Sequence, residues 1–128
     1  MGGREIRVKA VLDSDVLIDY LQGVPQAAEE LERYRQPLYS VITFMELHCG
    51  ARTKEQRMAV DVLLGTMTRV ELSDAVARRA VELRQNLRLK LPDAVVLASA
   101  EVEGCILVSR NTRDFPQGDP RVRFPYAI

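Results

Sequence analysis

A chain of 128 residues and 14.4 kDa has the size of one ordinary domain. With 47% hydrophobic and 28% charged residues it can bury a core of native proportions, which excludes disorder and collagen-like repeats. Eighteen basic residues balance eighteen acidic ones, so neither the overall positive charge of many nucleic-acid binders nor an acidic solvating protein is indicated.

In chain order, Val8-Lys9-Ala10-Val11-Leu12 is a β-prone run that stops at Asp13. Val16-Leu17-Ile18 and Tyr20-Leu21 then recur at helical spacing up to Gly23, and Pro25 opens a second helix through about Tyr34. Pro37–Val41 reads as a second strand. Thr43 is expected to cap a helix running to Gly50, with Glu46 three residues on, the capping-box spacing. Residues 54 to 64 read as helix, with Met58, Val62 and Leu63 on one face. Arg69–Leu72 is a third strand, and Ser73 caps a helix through about Leu87. Pro92 suits the first turn of the next helix, which ends at Gly104. Cys105–Val108 is the most apolar strand, and Val122–Phe124 is a short last one. Strands alternating with helices in so short a chain predict an α/β fold: a mostly parallel sheet covered on both faces.

The scarce residues narrow the chemistry. Cys49 and Cys105 lie far apart with no CxxC, so a zinc ribbon or redox pair is unsupported, and both are expected as buried thiols. His48 is the only histidine, which rules out zinc held by paired His within this chain. It lies two residues beyond Glu46, on a different side of the helix, and reads as structural. No stretch approaches 18 apolar residues and no signal-peptide core is present, so a cytoplasmic protein without membrane segments is expected. Residues 1–7 are set apart as disordered or foreign to the domain, and Met1–Arg4 is excluded from the functional reading.

In open α/β sheets ligands gather beyond the carboxyl ends of the strands. Two oxygen-rich segments follow strands directly there: Asp13-Ser14-Asp15, and Ser109 to Asp114. Four carboxylates stand out by position: Asp13, Glu46, Asp93 and Asp114. Singly, each has a plain structural explanation, as a helix cap, a capping-box partner, a helix-dipole complement or a turn former. Together, at one edge of a parallel sheet, they would repel one another and raise each other's pKa. A divalent cation relieves that repulsion, and an all-oxygen donor set favours Mg²⁺ or Mn²⁺.

Four segments in order resemble the motifs of PIN-domain ribonucleases, especially VapC-type toxins of type II toxin–antitoxin systems. They are Val11–Asp19, Ser40–Thr43 with Glu46-Leu47, Leu91–Ala94 running on to Ala100, and Leu107–Phe115. The resemblance spans positions 11 to 115 and implies a three-layer α/β/α PIN-like fold, a single domain over residues 1–128 with a mostly parallel central sheet. It further implies that Asp13, Glu46, Asp93 and Asp114 are the acidic quartet holding Mg²⁺ or Mn²⁺, with Asp13 and Asp93 as the strongest candidates for direct ligands. Ser14, Ser109, Asn111, Arg110 and Arg113 would support the site or the substrate, and Asp15 and Asp19 are left as either supporting or solvated. The implied reaction is metal-dependent hydrolysis of RNA phosphodiesters. The implied partners are an RNA substrate, a cognate antitoxin covering the acidic pocket, and a second copy in a homodimer.

Two rivals are open on the residues. A haloacid-dehalogenase-like phosphatase also places D-x-D after a hydrophobic strand, but it needs a later Lys, and none of the 19 residues after Ser109 is Lys. A PIN fold can also serve as a non-catalytic binding module, for which loss of acidic positions would be the sign; here all four are present. Setting the quartet aside leaves 18 basic against 14 acidic residues, and 15 of the 18 are Arg, so the zero balance conceals an acidic pocket in a mildly basic chain. The apolar faces Val16/Tyr20 and Met58/Val62 are expected to be core.

Overall fold

A computed structural model of the chain describes residues 7–128. The expectation for residues 1–7 therefore lies outside the described residues, except that the backbone of Arg7 opens the first strand. Among the described residues five strands form one sheet: β1 (Arg7–Leu12), β2 (Tyr34–Ser40), β3 (Thr68–Val70), β4 (Ile106–Val108) and β5 (Val122–Arg123). Six helices accompany them: α1 (Ser14–Leu21), α2 (Pro25–Glu32), α3 (Val41–Gly50), α4 (Lys54–Gly65), α5 (Asp74–Leu87) and α6 (Leu91–Val102).

The strand order is β3-β2-β1-β4-β5 and every pairing is parallel. The chain builds outward from β1 through β2 to β3, then returns to the other side of β1 for β4 and β5. That reversal leaves a topological switch point between the carboxyl ends of β1 and β4, the place where open α/β sheets bind ligands.

Strand alternation divides the core into two layers. Val11, Leu38 and Leu107 face one side and pack with α5 and α6, through Val76, Ala80 and Leu83 and through Ala94 to Ala98. Ala10, Leu12, Tyr39 and Val108 face the other side and meet Val16 and Leu17 of α1, Ala27 of α2 and Val60, Leu63 and Leu64 of α4. Helix α3 joins the layers, with Ile42 against the first and Leu47 in the second. The result is the expected three-layer α/β/α arrangement, with a sheet parallel throughout. α6 is apolar almost all round because it lies wholly within its layer, with Ala94 to Ala100 buried.

Several boundaries depart from expectation for local reasons. Tyr34 belongs to β2, because its ring enters the core and its hydroxyl donates to Glu30 (2.7 Å). Helix α3 begins at Val41, and its cap is Ser40, whose hydroxyl accepts from the Ile42 amide (3.1 Å). Thr43 is therefore inside the first turn and buried, and Glu46 closes no capping box with it. The capping box in this chain lies at α4, between Thr53 and Gln56. Helix α6 stops at Val102, and Gly104 takes the left-handed conformation that ends it (φ 69°).

Two further expectations are corrected. Cys49 is exposed and Cys105 half-buried, so neither is a core thiol. Tyr20, Met58 and Val62 are surface residues, Val62 being 71% exposed, because α1 and α4 turn these side chains outward along a shared groove; only Val16 of that set is core. No helix among the described residues is long and apolar enough to cross a membrane.

The end of β5 is tied back to α2. Arg123 donates to Glu30 through Nε (2.7 Å) and Nη2 (3.0 Å), and Tyr34 donates to the same carboxylate. Burial alone would raise the Glu30 carboxyl, but hydrogen bonds from Arg123 and Tyr34 outweigh it and hold the group below the ordinary carboxylate range. Burial and the same carboxylate push the Tyr34 hydroxyl up to about 12. A carboxylate depressed in this way stabilises the fold above its unfolded pKa near 4.5, and the contribution fades as pH falls through the lower folded value. Glu30→Gln is expected to cost on the order of 2 kcal/mol at neutral pH. In thermal melts across pH, its Tm deficit should be constant above about pH 5 and narrow below about pH 4; a deficit independent of pH would refute the assignment.

Candidate active site

Asp13 ends β1 and caps α1. Its backbone is extended (φ −73°, ψ 160°), and its amide donates to Val108 O (2.9 Å), which ties it to the end of β4. The carboxylate accepts from the Ser14 amide (2.8 Å) on Oδ1 and from the Ser109 hydroxyl (2.7 Å) on Oδ2. Asp13 is only 7% exposed. Burial and the negative charge of Asp15 push its carboxyl up to about 7, against the hydrogen bonds of Ser109 and Ser14, and Glu46 adds to the rise. No cation stands among the groups that act most strongly on it.

The loop after β4 runs along this edge and touches three acidic residues in succession. Ser109 is fully buried and donates to Asp13; its oxygen in turn accepts from the Asn111 amide (3.0 Å), which leaves the hydroxyl proton for Asp13. The Arg110 amide points at Asp15 (3.1 and 3.3 Å to the two oxygens). Asn111 holds Asp114 twice: Nδ2 donates to Oδ2 (3.0 Å), and Oδ1 accepts the Asp114 amide (3.1 Å). This pairing holds the Asp114 carboxyl below its usual range, and Lys90, 3.7 Å away, works in the same direction.

Glu46 projects from the second turn of α3 and accepts from the Ser14 hydroxyl (2.9 Å). Asp93 stands in the first turn of α6, behind Pro92, where an acidic side chain complements the helix dipole. Burial raises its carboxyl, as does the charge of Asp114 and, more weakly, of Glu46 and Asp15; Lys90 opposes them. The four predicted carboxylates are thus brought to one edge of the sheet, close enough to perturb one another. Asp15 joins them as a fifth, raised chiefly by burial.

The remaining expected residues fall into place unevenly. Ser14 and Ser109 bridge the carboxylates, and Asn111 orients Asp114. Arg110 is engaged within the fold: its Nε and Nη2 donate to Asp19 (2.6 and 3.2 Å). Arg113 is exposed and lends positive charge to Asp114. His48 lies away from the cluster, its ring 4.6 Å from that of Phe44 and its Nε2 3.1 Å from Asp61 Oδ1, joining α3 to α4. Asp19, left open between support and solvation, is buried and fully paired. Tyr126, which donates to Asp19 (2.8 Å), carried no signal in the sequence, because its partner is 107 residues away.

The donor set fits a hard divalent ion. It is all oxygen, among the described residues no cation hydrogen-bonds the buried Asp13, and burial with neighbouring negative charge raises the Asp13 and Asp93 carboxyls, a penalty that a bound cation relieves. Among the described residues no three such side chains stand close enough together to hold a metal ion; Glu46 is turned to Ser14, and Asp114 to Asn111 and Lys90.

A fully parallel three-layer sandwich with carboxylates gathered at its switch point defines an α/β domain with an acidic carboxyl edge. The chain belongs to the PIN domain family, which it matches over residues 10–119. It is 34% identical to Ribonuclease VapC10 of Mycobacterium tuberculosis over 92% of this chain and 93% of that protein. A toxin–antitoxin complex from Klebsiella pneumoniae contains a chain with 40% identity and a TM-score of 0.86, covering 93% of this chain and 99% of that one. VapBC2 from Rickettsia felis, bound to a DNA fragment from its promoter, shares the fold at 19% identity, a TM-score of 0.76, and coverage of 90% and 96%.

If the cluster takes a divalent ion, saturating Mn²⁺ should raise the Tm of the metal-free protein by several degrees, as any ligand specific to the folded state does. Asp93→Asn should lose most of that rise while folding normally. An unmoved Tm in the unsubstituted protein would count against a metal site here.

Proposed function

We propose that this chain is a Mg²⁺- or Mn²⁺-dependent endoribonuclease that acts as the toxin of a toxin–antitoxin pair, with residues 1–128 as its single catalytic domain. The observation that carries the reading is the crowding of Asp13, Asp15, Glu46, Asp93 and Asp114 at the switch point of a PIN fold, with no cation hydrogen-bonded to Asp13 among the described residues. Kinship with a VapC ribonuclease over nearly the whole chain supports the same reaction.

Asp13 and Asp93 would hold the ion directly, with Glu46 and Asp114 completing the set or holding it through water. Bound there, the ion offsets charge on a phosphoryl group and lowers the pKa of a water molecule. The chain's own groups do the rest. Ser109 and the Ser14 amide fix the Asp13 oxygens, and Asn111 fixes Asp114, so the acidic atoms meet the substrate preorganised. Arg113 and Lys90 are exposed and act on Asp114, and they would meet the phosphates beside the scissile bond. The motif order that would support a haloacid-dehalogenase-like phosphatase is missing. A purely binding PIN module gains no support either, since all four quartet carboxylates share the edge.

An antitoxin partner has a matching surface. An open cleft of about 270 Å³ begins at Glu46 and runs between α1, α3 and α4 over Ile18, Leu21, Leu47 and Val60. It adjoins the exposed face of Tyr20, Met58 and Val62. We assign this cleft to an apolar segment of the antitoxin, with a basic side chain reaching the carboxylates. The same reading gives a homodimer acting in the cytoplasm on RNA.

Purified protein should cleave structured RNA in Mn²⁺ or Mg²⁺, with EDTA abolishing activity and Asp13→Asn or Asp93→Asn reducing it at least about 100-fold. Metal-loaded protein that leaves tRNA and ribosomal RNA intact would favour the binding module instead. Val62→Asp should weaken antitoxin binding about 10-fold or more without changing RNA cleavage, read by calorimetry beside an RNase assay. A strict monomer by light scattering would remove the dimer from the reading.

A further inference from the structure

Asp19 lies on α1 one helical turn beyond Asp15 and points to the same flank of the helix. It is 6% exposed, yet it lies outside the acidic cluster, so its burial must be compensated by other means. Three donors from two distant segments do so. Arg110 contributes Nε and Nη2 (2.6 and 3.2 Å), a bidentate pair, and Tyr126 donates its hydroxyl to Oδ2 (2.8 Å). The Arg110 guanidinium also lies over the Tyr126 ring, 5.6 Å from its centroid. Asp19, Arg110 and Tyr126 therefore form a closed triangle joining α1, the loop after β4 and the segment after β5.

Arg110 is gripped at both ends. Its side chain is held by Asp19, while its amide is held by Asp15. The flanking residues are Ser109, which donates to Asp13, and Asn111, which orients Asp114. A shift of the Arg110 side chain is thus passed to contacts with three carboxylates at once. Tyr126 cannot drift freely, because Arg123, three residues earlier, is bound to Glu30.

We propose that Tyr126 is a positioning residue: by fixing the Asp19 carboxylate against Arg110, it sets the loop that aligns Asp13, Asp15 and Asp114. Tyr126 touches none of these three, and its hydroxyl acts only through Asp19 and Arg110. The consequence for metal and RNA rests on the nuclease reading; the consequence for loop geometry does not.

Tyr126→Phe removes the hydroxyl and keeps the ring, so packing on α1 and the contact with Arg110 remain. In the full metal-free chain, amide hydrogen exchange at Arg110 and Asn111 should accelerate more than threefold over the unsubstituted protein, whereas Leu97 in the buried α6 should be unchanged. In the metal-loaded protein, Mn²⁺ affinity by calorimetry and kcat on RNA should each fall about 10-fold, with KM for RNA held within about twofold. Asp19→Asn, which leaves the half-buried Arg110 without its charge partner, should show the same pattern more strongly. Exchange at Arg110 and Asn111 within threefold of the unsubstituted protein would overturn the proposal. So would accelerated exchange with unaltered Mn²⁺ affinity in a protein that does bind Mn²⁺. An unsubstituted protein that neither binds Mn²⁺ nor cuts RNA would sink the nuclease reading, while the exchange rates would still decide the role of Tyr126.

Discussion

The burial of Asp13 between the carboxyl ends of β1 and β4 is the constraint around which this edge of the molecule is organised. Its amide completes the ladder to Val108, so the residue cannot move outward without opening the centre of the sheet. A carboxylate confined there pays a desolvation cost, and the charge of Asp15 adds to it. What the fold supplies in return is a serine hydroxyl and one amide, neither of which carries charge. Among the described residues no positive charge is paired with this buried carboxylate.

Compensation differs at each of the three aspartates of helix α1. Asp13 receives neutral donors only. Asp15, two residues on, receives the Arg110 amide and feels its guanidinium at a distance. Asp19, a turn further, receives the guanidinium itself and a phenol. Compensation therefore grows along the helix away from the sheet, and uncompensated negative charge is concentrated at the switch point. The same gradient explains why Arg110, which lies next to the cluster in sequence, does not neutralise it: its side chain is drawn one turn along α1, and only its amide serves the site.

Features that depend on local pattern were legible in the residues. Alternating strands and helices, a buried run before Asp13, Pro92 at a helix start and Ser73 as a cap all reflect propensities acting over a few positions, and the structure has them. Because a parallel sheet forces strand ends to one edge, four carboxylates beside those ends could be read as a cluster without any coordinates. Contacts across the fold were not legible. Tyr126 meets Asp19 only because the segment after β5 folds back over α1, and no spacing encodes that. The exposed face of Tyr20, Met58 and Val62 was misread for a related reason. Helical periodicity shows that such residues share a face, but whether another element covers that face is decided by layer packing. At Thr43 two polar residues competed to cap one helix, and Ser40 won because β2 runs into α3 without an intervening turn.

Apolar cleft and acidic cluster meet at Glu46, and this junction bears on how a nuclease of the proposed kind can be restrained. A polyanion approaches an edge rich in carboxylates only when cationic charge has first been placed there. In the proposed nuclease a hard cation and a basic side chain would compete for the same oxygens with opposite consequences: the first would admit a phosphate, and the second would fill the pocket and exclude it. The electrostatic exchange would be weak at Glu46, which is exposed to water, where charge pairs are screened. Burial of an apolar segment along α1 and α4 supplies what that exchange lacks, since apolar area removed from water contributes at about 25 cal/mol per Å² and is not screened by salt. On the proposed reading, affinity and inhibition would then be carried by adjacent surfaces of one partner, and the exposed Met58 and Val62 would belong to the face that the partner covers.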